Sequence, residues 1–283
     1  MKNVFTEVVE GLAAKGEARN PLTPEDYRGV TDGREAVFCG KCGEPKRIWR
    51  KIDAVDFQGF TPTLCACGRK QREARLAEDT AEKRSALRNK AGGLSPDCEF
   101  ISSVRSPEMD ACWRYAKNWD EMRERNVGLL LWGRNGSGKS HAAQCIANEL
   151  LNRDPPVGVY VKTFAEILAG KFDKTEVLER VRQMSLVVFD DVGAERGNDY
   201  AFETIFAIVD ERYKAHKPTI VTTNLTWAEI KNPLDELGRP DRRRKRIYDR
   251  FAEMCVPIEF KGKSRRPEIN ADKTDFVLRT LGL

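Results

Sequence analysis

The segment Gly133-Arg134-Asn135-Gly136-Ser137-Gly138-Lys139-Ser140 has the spacing G-x-x-x-x-G-K-S, and each residue type in it has a task in holding a phosphate. Glycines at 133, 136 and 138 let the backbone curl so that successive N–H groups point inward at an anion, and a helix that follows adds its positive end. Lys139 is placed to reach the terminal phosphates, and Ser140 to offer its hydroxyl to magnesium. The nucleotide-holding segment runs from Gly133 to His141.

Two further sets of residues carry chemistry. Leu186-Val187-Val188-Phe189-Asp190-Asp191 is an apolar run ending in two carboxylates. Asp190 there suits magnesium, and Asp191 suits the orientation of an attacking water. Thr219 to Thr223 is a similar run closed by Asn224, which could bond a γ-phosphate or that water, though an Asn closing a strand is otherwise most often a turn residue. Cys39-x-x-Cys42 and Cys65-x-Cys67 are separated by 22 residues, and each pair is followed by glycine. Four thiolates in two close pairs suit tetrahedral structural zinc, with a redox pair or unliganded thiols as the alternatives. Cys98, Cys112, Cys145 and Cys255 are scattered and read as small buried hydrophobes.

The elements that must position these groups follow from periodicity. Short apolar runs at Val127 to Trp132, Val157 to Lys162, Leu186 to Asp190, Thr219 to Thr223 and Val256 to Phe260 alternate with helical stretches. In those stretches Ala143, Ile146, Ala147 and Leu150, and again Phe202, Ile205, Phe206 and Val209, recur at i, i+3, i+4, i+7. The pattern predicts a five-stranded parallel sheet covered by helices on both faces. Arg69 to Lys90 is more than half charged, free of Gly and Pro, and closed by Ala91-Gly92-Gly93, which predicts a solvated connecting helix. Residues 1 to about 35 show only weak helical periodicity and read as an arm. The expected organisation is an arm and cysteine module over 1–68, a helical linker over 69–95 and a nucleotide-binding domain over 96–283.

Composition limits the partners. A net charge of +5 with 33% charged residues gives mild attraction for polyanions and excludes a histone-like role. Glu7 and Glu10 interrupt the N-terminus before an apolar run of secretory length develops, and no later stretch is long enough to span a membrane, so the expectation is a cytoplasmic protein. Gly238 to Arg250 holds seven basic residues in thirteen. It reads equally as a solvated loop or as a surface that lines a subunit interface or attracts single-stranded DNA.

With GLLLWGRNGSGKSHAAQCIANELL, LVVFDDVGAE, PTIVTTNL and RIYDRFAEMCVPIEFKGKSRR, the chain from about Phe100 to Arg266 resembles the DnaC/DnaI-type helicase loaders. These form a branch of the AAA+ ATPases that also includes IstB-type transposition helpers. The resemblance implies an α/β AAA+ P-loop fold, an ATPase acting with magnesium, and no helical lid, since 23 residues follow Phe260. It implies that Asn224 is the sensor I residue and that Arg250 is an arginine finger offered to a neighbouring subunit, with Arg246 as the alternative. It further implies self-assembly, a hexameric replicative helicase of the DnaB type as partner, and a surface for single-stranded DNA between Thr163 and Met184. Asp190-Asp191 stands where many AAA+ proteins carry Asp-Glu. Some loaders carry an N-terminal zinc module and IstB-type helpers generally do not, so the cysteine module favours a loader. A nucleotide-gated adaptor with negligible turnover and an IstB-type transposition helper are the alternatives.

Overall fold

A computed structural model describes residues 21–52, 57–169, 173–193, 199–264 and 266–281. The chain divides into two compact units, one up to Lys83 and one from Arg84 onward. The division falls inside the long charged helix.

In the first unit, β1 (Tyr27–Thr31), β2 (Arg34–Phe38), β3 (Pro45–Ile52) and β4 (Phe57–Pro62) form an antiparallel sheet in the order β1-β2-β3-β4. Asp32-Gly33 turns β1 into β2 with positive φ at both residues, 49° and 71°, the geometry a two-residue hairpin requires. This differs from the weakly helical arm expected up to residue 35. Residues 1–20 of that arm lie outside the described residues, and 27–35 are strand and turn. After β4 the chain passes Cys65 and enters α1 (Ala66–Ala91), close to the helix expected from charge and the lack of Gly and Pro.

The second unit opens with α2 (Pro107–Lys117), started by Ser106, whose hydroxyl accepts from the N–H of Met109, and by Pro107 in the first turn. After it come α3 (Trp119–Glu124), β5 (Gly128–Gly133), α4 (Lys139–Leu151), β6 (Val159–Thr163), α5 (Phe164–Leu168), α6 (Lys174–Gln183) and β7 (Leu186–Val192). The chain ends with α7 (Asp199–Lys214), β8 (Thr219–Thr223), α8 (Trp227–Lys231), α9 (Arg242–Met254), β9 (Cys255–Phe260) and α10 (Arg266–Leu281).

The five strands are parallel and ordered β6-β7-β8-β5-β9. Alternate residues of each strand enter different cores. Leu129 and Leu131 join Ile146, Leu150 and Trp119 on one face, and Leu130, Phe189 and Val221 join Ile205, Ile208 and Phe251 on the other. Strands buried on both faces read as continuous apolar runs, which is why β5, β7 and β8 were legible, while β9 at the sheet edge is partly exposed. The order places β8 between β5, which leads into the phosphate loop, and β7, which ends in carboxylates.

Candidate nucleotide site and cysteine cluster

The segment 133–140 leaves the end of β5 and enters α4. Gly133 has φ 140°, and a Cβ there would sit 2.5 Å from the carbonyl oxygen of Phe260, so no other residue fits without moving β9. Gly138, at φ 102°, is the N-cap of α4 and offers no side chain to the first-turn N–H groups. The Ser137 hydroxyl is buried without a hydrogen-bond partner among the described residues. A buried hydroxyl left so costs about 1–3 kcal/mol, and a phosphate oxygen would satisfy it. Orphaned hydroxyl, uncapped helix start and open left-handed glycine together fit a nucleotide phosphate.

Lys139 is 5% exposed, and its ammonium donates to the carbonyls of Gly133 and Arg134 at 2.9 and 2.8 Å and to Asn224 Oδ1 at 2.9 Å. The other end of the Asn224 amide donates to Asp191 Oδ1 at 2.9 Å. Asn224 thus joins the phosphate-loop lysine to the second carboxylate of β7. Thr222, two residues earlier on β8, donates to Asp190 Oδ1 at 2.5 Å and accepts from the N–H of Asp191 at 2.9 Å. These bonds span a register shift between β7 and β8, from Phe189 to Val192, where Asp191 adopts φ 55°. A left-handed non-glycine residue is uncommon, and the Thr222 clamp is what holds it. Ser140, in the first turn of α4, and Asp190 are the oxygen donors of the type that magnesium takes.

His141 Nε2 lies 2.8 Å from the Ser103 hydroxyl, which donates to the carbonyl of Glu99 at 2.6 Å. His141 therefore ties the 99–103 loop to α4. Arg250 is on α9, where its guanidinium donates to Asp210 of α7 at 3.1 and 3.2 Å and lies 4.4 Å from the Tyr213 ring centre. The Asp210 carboxyl is held below the ordinary range by Lys214 first and by Arg250 as well. Arg246 covers the Phe206 ring at 4.2 Å. Arg243 pairs with Asp199, and Arg243 and Arg244 flank the Phe202 ring at 4.9 and 5.3 Å, so the basic run is anchored on α7. Of the Thr163 to Met184 segment, residues 170–172 lie outside the described residues, as do Ala194, Glu195 and Arg265 of the motif landmarks.

In the first unit Cys39 and Cys42 occupy the turn after β2, closed by the Cys39 N–H donating to Glu44 at 2.8 Å and the Gly43 N–H donating to Cys39 at 2.9 Å. The sulfurs of Cys39, Cys42 and Cys65 all lie within 4.8 Å of one another. Cys67, in the first turn of α1, is not one of this mutually close set. Backbone N–H groups of Cys67 and Glu44 bring the Cys42 thiol down to about 6. Its own bond with Cys42, and then burial, push Cys67 up to about 11. Burial raises Cys65. Three sulfurs brought together, with backbone N–H groups aimed at Cys42 and Cys65, are a group that could hold a metal ion, and Cys67 at the start of α1 is the expected fourth ligand.

Sequence reasoning missed Thr222, Ser103 and a buried ion pair under the cysteine turn, in which Lys46 Nζ lies 2.9 Å from Asp26 and both side chains are almost fully buried. A signal existed for Thr222, since i, i+2 spacing along β8 sets it on the same face as Asn224. Ser103 meets His141 across 38 residues and the ion pair joins residues 20 apart, so no local pattern announces either contact.

A P-loop ATP-binding protein with a five-stranded parallel sheet is the class that this fold and site define. Residues 118–272 match the IstB-like ATP binding protein family, and the chain belongs to that family. It is similar to the uncharacterized protein YqaM of Bacillus subtilis, with 27% identity over 62% of this chain and 58% of YqaM. It is similar to the replicative helicase loader DnaI of the same organism, with 28% identity over 54% of this chain and 51% of DnaI. It is also similar to the replicative helicase loader DnaC of Escherichia coli K12, with 29% identity over 56% of this chain and 69% of DnaC. The chain thus spans between half and three-fifths of the length of YqaM and DnaI. Among the described residues no helix is long and apolar enough to cross a membrane.

Proposed function

We propose that this protein is an ATP-driven helicase loader, which binds a hexameric replicative helicase and single-stranded DNA, holds the assembly while ATP is bound, and releases it on hydrolysis. The observation that carries the ATP-driven part is Asn224, which accepts from Lys139 and donates to Asp191, both at 2.9 Å. That link gives the chain a means of coupling the phosphate loop to the carboxylate beside the attacking water. Kinship with two replicative helicase loaders supports the choice of partner.

In this reading Lys139 exchanges the neutral carbonyls of Gly133 and Arg134 for a charged phosphate oxygen, a stronger hydrogen-bond partner. Asn224, released from Lys139, keeps Asp191 oriented toward the water. Magnesium, held through Ser140 and Asp190, neutralises phosphate charge when bound. Arg250 leaves Asp210 to reach the nucleotide of the next subunit in a self-assembled ring or spiral. Zinc on Cys39, Cys42, Cys65 and Cys67 fastens the turn after β2 to the start of α1.

The test is co-purification with a replicative helicase, with and without ATP, joined to single-turnover hydrolysis in the presence of helicase and DNA. ATP-dependent capture with turnover supports the loader. Capture without turnover identifies a nucleotide-gated adaptor. Failure to capture the helicase, with capture of a transposase instead, identifies a transposition helper.

A further inference from the structure

Helix α4 carries a polar stripe beside its apolar one. His141, Gln144, Cys145 and Asn148 recur at i, i+3, i+4, i+7, so they share one face of the helix, and all four bind the segment 95–103. At the nucleotide end the Ser103 hydroxyl gives its one proton to the carbonyl of Glu99, so it accepts from His141 Nε2 at 2.8 Å and from the Cys145 thiol at 3.6 Å. One turn on, Gln144 Oε1 accepts from the Ser95 N–H and the Cys98 thiol, both at 3.4 Å. At the far end the buried Asn148 amide donates to the carbonyls of Ser95 and Cys98 at 2.8 and 2.9 Å and accepts from Arg88 Nε at 3.2 Å. These bonds tie Arg88, in the part of α1 that belongs to the second unit, to His141, the residue after Ser140.

We infer that the 95–103 segment is a nucleotide-responsive switch, tightened when a phosphate fills the start of α4 and loosened when it leaves. A phosphate bound to the first-turn N–H groups of α4 orders the turn that carries His141. A ligand that orders this turn lowers the entropic cost of ordering what the turn holds, and coupling of this kind is reciprocal. Ser103 is therefore a positioning residue, acting on the phosphate loop through His141. A rigid scaffold is the poorer fit. Ile101 and Val104, on either side of Ser103, are 92% and 61% exposed, so packing does not hold this stretch and the bonds to α4 do. The inference rests on nucleotide binding at 133–140, and it assigns regulation of that site to residues outside it.

The test is hydrogen–deuterium exchange of the full-length chain with and without magnesium and a non-hydrolysable ATP analogue, joined to calorimetric affinity for the analogue. The amides of Leu94, Cys98 and Ser103 report on the segment, since each is bonded to a backbone carbonyl. Saturating analogue is expected to slow exchange over residues 94–103 by about fivefold or more in the wild type. Ser103→Ala should remove most of that slowing, keep the protection of α4, and weaken analogue binding by about the same factor, while Ser103→Thr should restore both. Gln144→Ala, one turn further from the phosphates, should shift both readouts in the same direction as Ser103→Ala. If the wild-type chain does not bind the analogue, the nucleotide-site reading falls together with this inference. If it binds without slower exchange over 94–103, the inference alone fails. It fails equally if Ser103→Ala speeds exchange to the same extent with and without the analogue, which marks a merely structural contact, or if Ser103→Thr behaves like Ser103→Ala.

Discussion

Thr222 holds Asp190: its hydroxyl donates to the carboxylate at 2.5 Å and at the same time accepts from the N–H of Asp191 at 2.9 Å. One side chain of β8 thereby fixes both carboxylates of β7 across the irregularity in their pairing. In the proposed reading, where Asp190 would hold magnesium, a positioning residue of this kind would act on the metal through its ligand, and losing such a partner typically costs about 10–100-fold in metal affinity or activity. Thr222→Val keeps the shape and removes the hydroxyl. It should raise the magnesium concentration needed for half-maximal hydrolysis and lower turnover within that range, and Thr222→Ser should recover most of both. Magnesium titrations of ATP hydrolysis read this directly. If Val and Ser behave alike, the hydroxyl has no such role.

The parallel sheet was legible because its inner strands are buried on both sides and carry unbroken apolar runs such as Leu129 to Trp132 and Leu186 to Phe189. The antiparallel sheet was not legible from periodicity. Its strands are short, interrupted by Gly29 and Gly59, bounded by Pro45 and Pro62, and mixed in polarity. Its one strong local signal is Asp32-Gly33, whose paired positive φ values make a hairpin turn, and it lies inside the segment that the sequence reading takes as an arm. At the nucleotide site the motif residues were legible by type and spacing. The clamp by Thr222 was not, because it depends on a bulge that exists only once β7 and β8 are paired.

Arg250 pairs with Asp210 and lies on Tyr213 within its own chain, so a role in trans requires it to leave that pair. Arg250→Ala should leave nucleotide affinity of the single chain nearly unchanged and lower assembly-dependent hydrolysis by about 10³-fold or more. Asp210→Ala separates this from a structural role. It keeps the guanidinium and removes the tether, so hydrolysis should be preserved or raised, whereas an Arg250 that serves only to pair would make the two variants equally defective. Mixing Arg250→Ala with Lys139→Ala subunits should recover some activity at interfaces that bring an intact loop to an intact arginine. If mixed assemblies form but stay inactive, or Arg250→Ala hydrolyses normally, Arg246 becomes the candidate.

The cysteine cluster should hold about one zinc per chain when the protein is purified without chelator. Cys39→Ser or Cys65→Ser should release it and disorder the first unit, because metal binding supplies stability that a module with few buried apolar residues lacks. Nucleotide binding by the second unit should persist in both variants. Elemental analysis together with nucleotide affinity checks the pair of outcomes. Wild-type protein without metal would remove the zinc assignment.

Asp26 and Lys46 form a buried pair in the first unit, with Asp26 also accepting from the N–H groups of Thr23 and Gly40 and Lys46 donating to the carbonyl of Pro21. Burial alone would raise the Asp26 carboxyl, but the Thr23 N–H, the Lys46 ammonium and the Gly40 N–H outweigh it and bring it from 3.8 down to about 2. A carboxyl that is more acidic in the folded state stabilises the fold above its unfolded value and loses that contribution as pH falls. The loss should therefore fall between about pH 4 and pH 2 and amount to about 2 kcal/mol. Asp26→Asn should remove this step and destabilise the unit at neutral pH by several kcal/mol, because it leaves a buried ammonium without its anion. Asp26→Asn combined with Lys46→Met should regain much of that loss, since no charge then stays buried. Thermal melts of the three proteins at pH 7 and across the acid range measure both effects. A single Asp26→Asn variant as stable as the wild type at pH 7 would show that the pair does not hold the cysteine turn in place.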